Sequence, residues 1–165
     1  SPCIQPSFGS IIAGEMRDLF ETRCLVENQA LRLAMARRGQ DWLDAVVLAY
    51  HRMRYRPRQD DPGGLSEAWE ALHRAFHMAL VAGCGLATLT AFCDRLNMRT
   101  ERYRRPSLLY ERGGRDPDRE HRAIFDAVME GDAERAAQEL ERHYRLTAEL
   151  LSNGFAAADR RAAPG

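Results

Sequence analysis

The sequence predicts an all-α protein, an antiparallel bundle of six to seven helices. Three observations carry this. Apolar residues recur at intervals of three and four along most of the chain, no stretch alternates as a half-buried strand would, and Gly, Pro and capping residues separate the periodic runs. From about Ala13 to Arg38, residues Met16, Leu19, Phe20, Val26, Ala30, Leu33 and Ala34 form one stripe, and Gly39 stands where a C-terminal cap belongs. Asp41 opens a second helix from Trp42 to about Tyr55, and the Pro- and Gly-containing stretch 56–64 reads as a loop. Ser66 caps a third helix carrying Trp69, Leu72, Phe76 and Leu80, which ends at the break Gly83 to Gly85. A fourth runs from Leu86 to about Arg104 and is stopped by Pro106. Asp116 and Pro117 are the N-cap and first-turn pair of a fifth, ending at Gly131, and Asp132 caps a sixth with Ala136, Leu140, His143, Thr147 and Leu150 in line. Residues 1–12 read as a linker remnant, 13–152 as the helical domain and 153–165 as a flexible tail.

With 165 residues and 45% hydrophobic side chains, the chain has the size of one globular domain. All 24 basic residues are Arg, balanced by 24 acids to a formal net charge of zero, which argues against a nucleic-acid-binding face on this chain. No run of about 18 apolar residues and no signal-peptide pattern appear, so no membrane partner and a cytoplasmic location are expected. Cys3, Cys24, Cys84 and Cys93 lack metal or redox spacing and read as reduced apolar fillers.

Four of the five histidines fall on inward faces. His73 and His77 are four apart and project from one helix face; His121 precedes Ile124, Phe125 and Val128 at helical spacing; His143 lies in the stripe of Leu140 and Leu150. A single inward histidine is usually a core residue satisfied by one hydrogen bond. Four on three helices each carry a desolvation cost that a shared divalent metal would offset, and imidazoles from facing helices suit Zn, Ni, Cu or Fe. His51 reads as structural.

The order Arg23-x-x-x-Glu27, Phe76-His77, Glu120-His121 before Ala123-Ile124, Gly131-Asp132-Ala133-Glu134-x-Ala136 and then His143 resembles the FCD effector domain of the FadR branch of GntR transcriptional regulators, from about Met16 to Leu151. Within that branch, 69–80 together with Arg102-Tyr103-Arg104 is similar to CsiR-type regulators, which respond to five-carbon dicarboxylates. The resemblance implies a metal held by His73, His77, His121 and His143. His73 stands where the family usually has Asp, which makes the donor set all imidazole and favours Zn or Ni. It also implies a homodimer, and contact with operator DNA only through an N-terminal winged helix-turn-helix domain that this chain lacks.

A carboxylate effector needs cations that stay charged when buried, and Arg forks supply them. Arg23, on the inward side of the first helix, is the first candidate, with an internal ion pair to Glu27 as the structural alternative. Arg102, beside Tyr103, is the second; most such basic clusters are solvated faces. The function expected is therefore a sensor binding a divalent metal and a small dicarboxylate or 2-hydroxy acid, not an enzyme. The alternative is a mononuclear metalloenzyme on a helical bundle; Glu120, adjacent to His121, is expected to point elsewhere on its helix and so to be a poor general base.

Overall fold

The computed structural model describes residues 8–60, 64–104 and 114–162. They form six helices: α1 (Phe8–Arg37), α2 (Gln40–Arg54), α3 (Glu67–Ala82), α4 (Ala87–Arg104), α5 (Pro117–Glu130) and α6 (Ala133–Ala162). Within the stretch expected to be a loop, β1 (Gln59–Asp60) and β2 (Gly64–Leu65) pair as a two-residue antiparallel ribbon. Cys24, Cys84 and Cys93 are buried free thiols, and Cys3 lies outside the described residues.

The caps read from sequence form. Ser66 accepts from the Trp69 amide at 3.3 Å, Asp116 from Arg119 at 3.0 Å and Asp132 from Arg135 at 3.0 Å. Gly131 takes the left-handed conformation, φ 79°, that ends α5 and opens the hairpin into α6. The end of α1 differs from expectation. Arg38 takes the left-handed position at φ 43°, while Gly39 is extended and precedes α2. Two hydrogen bonds of 2.7 Å hold Arg38 there, from its guanidinium to the carbonyls of Val128 and Met129 at the end of α5.

α1 and α6, each 30 residues, run antiparallel along one another, with Arg32 against Glu134, Arg23 against Tyr144 and Arg145 against Glu21. This pairing extends the helical region at both ends. Residues 8–12 and 153–162, expected to be linker and tail, are helical, because Phe155 packs on the core and Gly9 lies against Asp159. α2 packs on α3, where the Trp42 indole donates to the Ala79 carbonyl at 2.9 Å, and on α5, where Tyr50 stacks on Phe125 at 4.1 Å. The principal core, including Met16, Phe20, Leu31, Val46, Phe76, Leu80, Ile124, Leu140 and Leu151, lies between these layers. Leu33, expected on the inward stripe of α1, is exposed; Arg23 and Glu27 are buried on that helix instead.

Candidate metal centre

The core is polar where α1, α3, α4, α5 and α6 meet. His73 and His77 from α3, His121 from α5 and His143 from α6 are all at most 2% exposed. One ring nitrogen of each lies within 4.8 Å of the others. The Nε2 atoms of His73, His77 and His121 are 3.1 Å (His73–His77), 3.1 Å (His73–His121) and 3.4 Å (His77–His121) apart. With metal–nitrogen bonds of 2.0–2.1 Å, cis donors of an octahedral ion stand about 3.0 Å apart and those of a tetrahedral ion about 3.3 Å. The observed spacing is therefore that of a coordination shell, and the donor set fits a borderline or soft divalent ion.

Burial pushes all four imidazoles well below the usual histidine range, and nearby guanidinium groups and the other rings push the same way. Each is therefore neutral near pH 7, the form that ligates. The outward nitrogens meet other groups. His143 Nδ1 is 2.8 Å from Glu120 Oε2, and His77 Nδ1 is 3.1 Å from the Tyr144 hydroxyl. His73, stacked on Trp69 with centroids 4.6 Å apart, has its Nδ1 3.9 Å from Glu70 Oε2. Nδ1 of His73 and Nδ1 of His121 are buried with no hydrogen-bond partner among the described residues.

Three carboxylate–guanidinium pairs stand behind these rings. Glu27 binds Arg23 at 2.7 Å, Glu70 binds Arg104 at 2.7 Å and Glu120 binds Arg115 at 2.7 and 2.5 Å. Arg115 also reaches the His143 carbonyl at 3.1 Å and Thr147 Oγ1 at 2.7 Å, tying the start of α5 to α6. Arg23 is 1% exposed and donates further to Thr100 Oγ1 at 3.2 Å and to the Tyr144 hydroxyl at 2.9 Å. Burial opposes its charge, but Glu27 and Tyr144 outweigh that, and its pKa is raised.

The structure brings the four histidines and Arg23 together but leaves out Arg102 and Tyr103. The buried stripe of α4 is Cys93, Leu96, Asn97, Thr100 and Arg104, so Arg102 falls on the solvent side. Tyr103 is half-buried, its hydroxyl donating to Glu15 at 3.4 Å and its ring packed edge-on against Phe155. Arg104, two residues beyond Arg102, is the cation of that cluster that turns inward. Glu120 corrects a second expectation. A 100° step from His121 still lands in the groove between α5 and α6, where Glu120 is 7% exposed and touches His143. Asn97, Tyr144 and Arg115 were not anticipated. Asn97 is fully buried with neither end of its amide hydrogen-bonded, one turn before the Thr100 that Arg23 contacts. Clefts of about 210 Å³, between α2 and α5, and about 520 Å³, between α5 and α6, reach His121 and the Arg115–Glu120 pair from the surface.

Residues 18–146 match the model of the FCD domain family. The chain is 36% identical over 131 residues to a protein of Paraburkholderia xenovorans LB400 named as an uncharacterized HTH-type transcriptional regulator, BphR; the match covers 78% of this chain and 54% of that protein. It is 29% identical over 146 residues to the HTH-type transcriptional repressor GlaR of Escherichia coli K12, covering 86% of this chain and 66% of that one. The crystal structure of a GntR-family regulator from Pseudomonas syringae pv. tomato DC3000 superimposes with a TM-score of 0.70 at 19% identity, over 88% of this chain and 59% of the other, and so shares the fold. This chain thus spans between half and two thirds of the length of the regulators it matches. By its helical order, its buried histidines and its family match, the chain belongs to the FCD domain family.

Proposed function

We propose that this chain is the effector-sensing module of a GntR-type transcriptional regulator, and that it holds one divalent cation together with a small dicarboxylate or 2-hydroxy acid. The observation that carries the reading is the convergence of buried Nε2 atoms at 3.1–3.4 Å, an arrangement of neutral donors that a cation stabilises. His73, His77, His121 and His143 hold the ion, and an all-imidazole donor set favours Zn or Ni. When bound, the ion supplies a buried positive charge and a Lewis-acidic contact for an effector carboxylate. Arg23, its contact Thr100 and Asn97 one turn earlier on α4 are the polar groups assigned to the rest of the effector. The Asn97 amide offers a donor and an acceptor that the folded chain leaves unmatched, which is costly unless a bound molecule meets them.

In this reading the module works in the cytoplasm as part of a homodimer, contacts operator DNA only through another domain, and carries no enzymatic activity, in keeping with relatives named as regulators. No helix is long and apolar enough to cross a membrane. Metal content and ligand response test the proposal together. Elemental analysis of protein incubated with zinc and desalted should give about one ion per chain, lost in His121→Ala or His143→Ala. Glutarate should then raise the melting temperature of the zinc-loaded protein more than butyrate does, since only a diacid offers a second anchor. Full zinc retention in both histidine variants, or equal shifts with the two acids, would overturn it.

A further inference from the structure

We infer that Tyr144 and Glu120 are positioning residues that fix the tautomers of His77 and His143, so that both rings turn a bare Nε2 toward the centre of the cluster. The inference rests on the metal-binding reading above and assigns two residues that act on its donors. It follows from counting hydrogens along two chains of contacts.

Glu27 receives the Nε–H of Arg23 and can only accept, so the Tyr144 hydroxyl spends its single hydrogen on Glu27 Oε2. The phenolic oxygen then has only lone pairs for its other two neighbours. Arg23 Nη2 donates to it at 2.9 Å, and His77 Nδ1 at 3.1 Å must donate as well. A neutral imidazole has one N–H. With that hydrogen on Nδ1, His77 Nε2 is a lone pair aimed at His73 and His121. The second chain ends the same way. Arg115 donates to both oxygens of Glu120, and Glu120 Oε2 lies 2.8 Å from His143 Nδ1, a distance at which two bare acceptors would repel. Arg115 Nη2 also lies 3.2 Å from that nitrogen, but its two hydrogens go to the nearer acceptors, Glu120 Oε2 at 2.5 Å and Thr147 Oγ1 at 2.7 Å, and the Thr147 hydroxyl in turn donates to the His143 carbonyl at 2.9 Å. Nδ1 of His143 therefore carries the hydrogen, and Nε2 is the donor atom. Outer contacts of this kind orient a ligating ring and raise its basicity. Here they link two ligands to carboxylate–guanidinium pairs on different elements, α1 for His77 and the start of α5 for His143. Nδ1 of His73 and Nδ1 of His121 have no such partner among the described residues, so neither ring has its tautomer fixed from outside the cluster.

Long-range ¹⁵N–¹H spectra of the metal-free wild-type chain at about pH 8 read the tautomers directly. His77 and His143 are expected as Nδ1–H forms. In Tyr144→Phe, His77 should shift toward the Nε2–H form while His143 stays unchanged and serves as the internal control. Zinc affinity, measured by competition with a chromophoric chelator on protein shown to be folded by circular dichroism, should fall about 10- to 100-fold in Tyr144→Phe. His77 or His143 as Nε2–H in the wild type, or an unchanged His77 tautomer and zinc affinity in the variant, would overturn the inference. If Tyr144→Phe fails to fold, the wild-type spectra decide alone. A wild-type chain that takes no zinc refutes the metal reading, while its spectra still judge the tautomers.

Discussion

Replacing Glu27 by Leu should destabilise the protein severely, whereas replacing Glu27 and Arg23 together should not. Both side chains are 1% exposed and bonded at 2.7 Å, so the single variant leaves a guanidinium in the core with only the neutral oxygens of Thr100 and Tyr144 beside it. An uncompensated buried charge of this kind costs about 3–5 kcal/mol. At about 2–4 °C per kcal/mol for a domain of this length, the melting temperature should drop by about 6–20 °C. Arg23→Leu should cost a similar amount, because Glu27 then keeps only the Tyr144 hydroxyl as donor. In the double variant no charge remains, and exchanging a buried ion pair for apolar side chains is often neutral or stabilising. Urea and thermal denaturation followed by circular dichroism, analysed as a double-mutant cycle, should therefore give a coupling of about 6 kcal/mol or more, the two single losses of about 3 kcal/mol or more against a double near zero. Single variants that lose less than about 1 kcal/mol, or a double variant that loses the sum of the two, would refute the buried-pair reasoning.

Acid should unfold the metal-free protein steeply. The folded state holds four histidines well below their usual pKa, so the unfolded chain binds more protons as pH falls below about 6.5 and stability is lost from there down to the depressed folded values. Each histidine that stays neutral in the folded state while charging in the unfolded one adds up to about 1.4 kcal/mol per pH unit, and urea midpoints measured from pH 8 to 5 that do not move would contradict it. Asn97→Ala should retain zinc stoichiometry but weaken glutarate binding to the zinc-loaded protein about 10-fold or more in calorimetric titration, an unchanged affinity removing Asn97 from the groups assigned to the effector.

The helices and the four clustered histidines were legible because both depend on one periodicity. A ring at the spacing of Trp69, Phe76 and Leu80, or of Ile124 and Val128, is carried into the core by the same rotation that buries its neighbours. What supports those rings was not legible. Tyr144 and Glu120 each sit one residue from a histidine of the cluster, and a strict stripe model turns them away. Their inward placement depends on α1 lying against α6 and on Arg115 reaching across from the start of α5. Arg104 could have been read. It lies on the stripe of Cys93, Leu96, Asn97 and Thr100, whereas Arg102, the residue expected to face the effector, is about 200° around the wheel from Thr100. The left-handed turn at Arg38, with Gly39 next to it, follows from carbonyls at the far end of α5 that no local signal announces.

The length of α1 has a mechanical consequence. Thirty residues make a rod about 45 Å long, and Arg23, which meets Thr100 and Tyr144 in the polar part of the core, sits near the middle, about 22 Å from Phe8. A tilt of about 5° about that point would carry the first turn sideways by about 2 Å, the size of shift at which packed interfaces change between discrete arrangements. Any rotation of α1 about that buried contact would thereby be magnified at the end of the helix, where the leading turn rests on the last turns of α6 at Asp159.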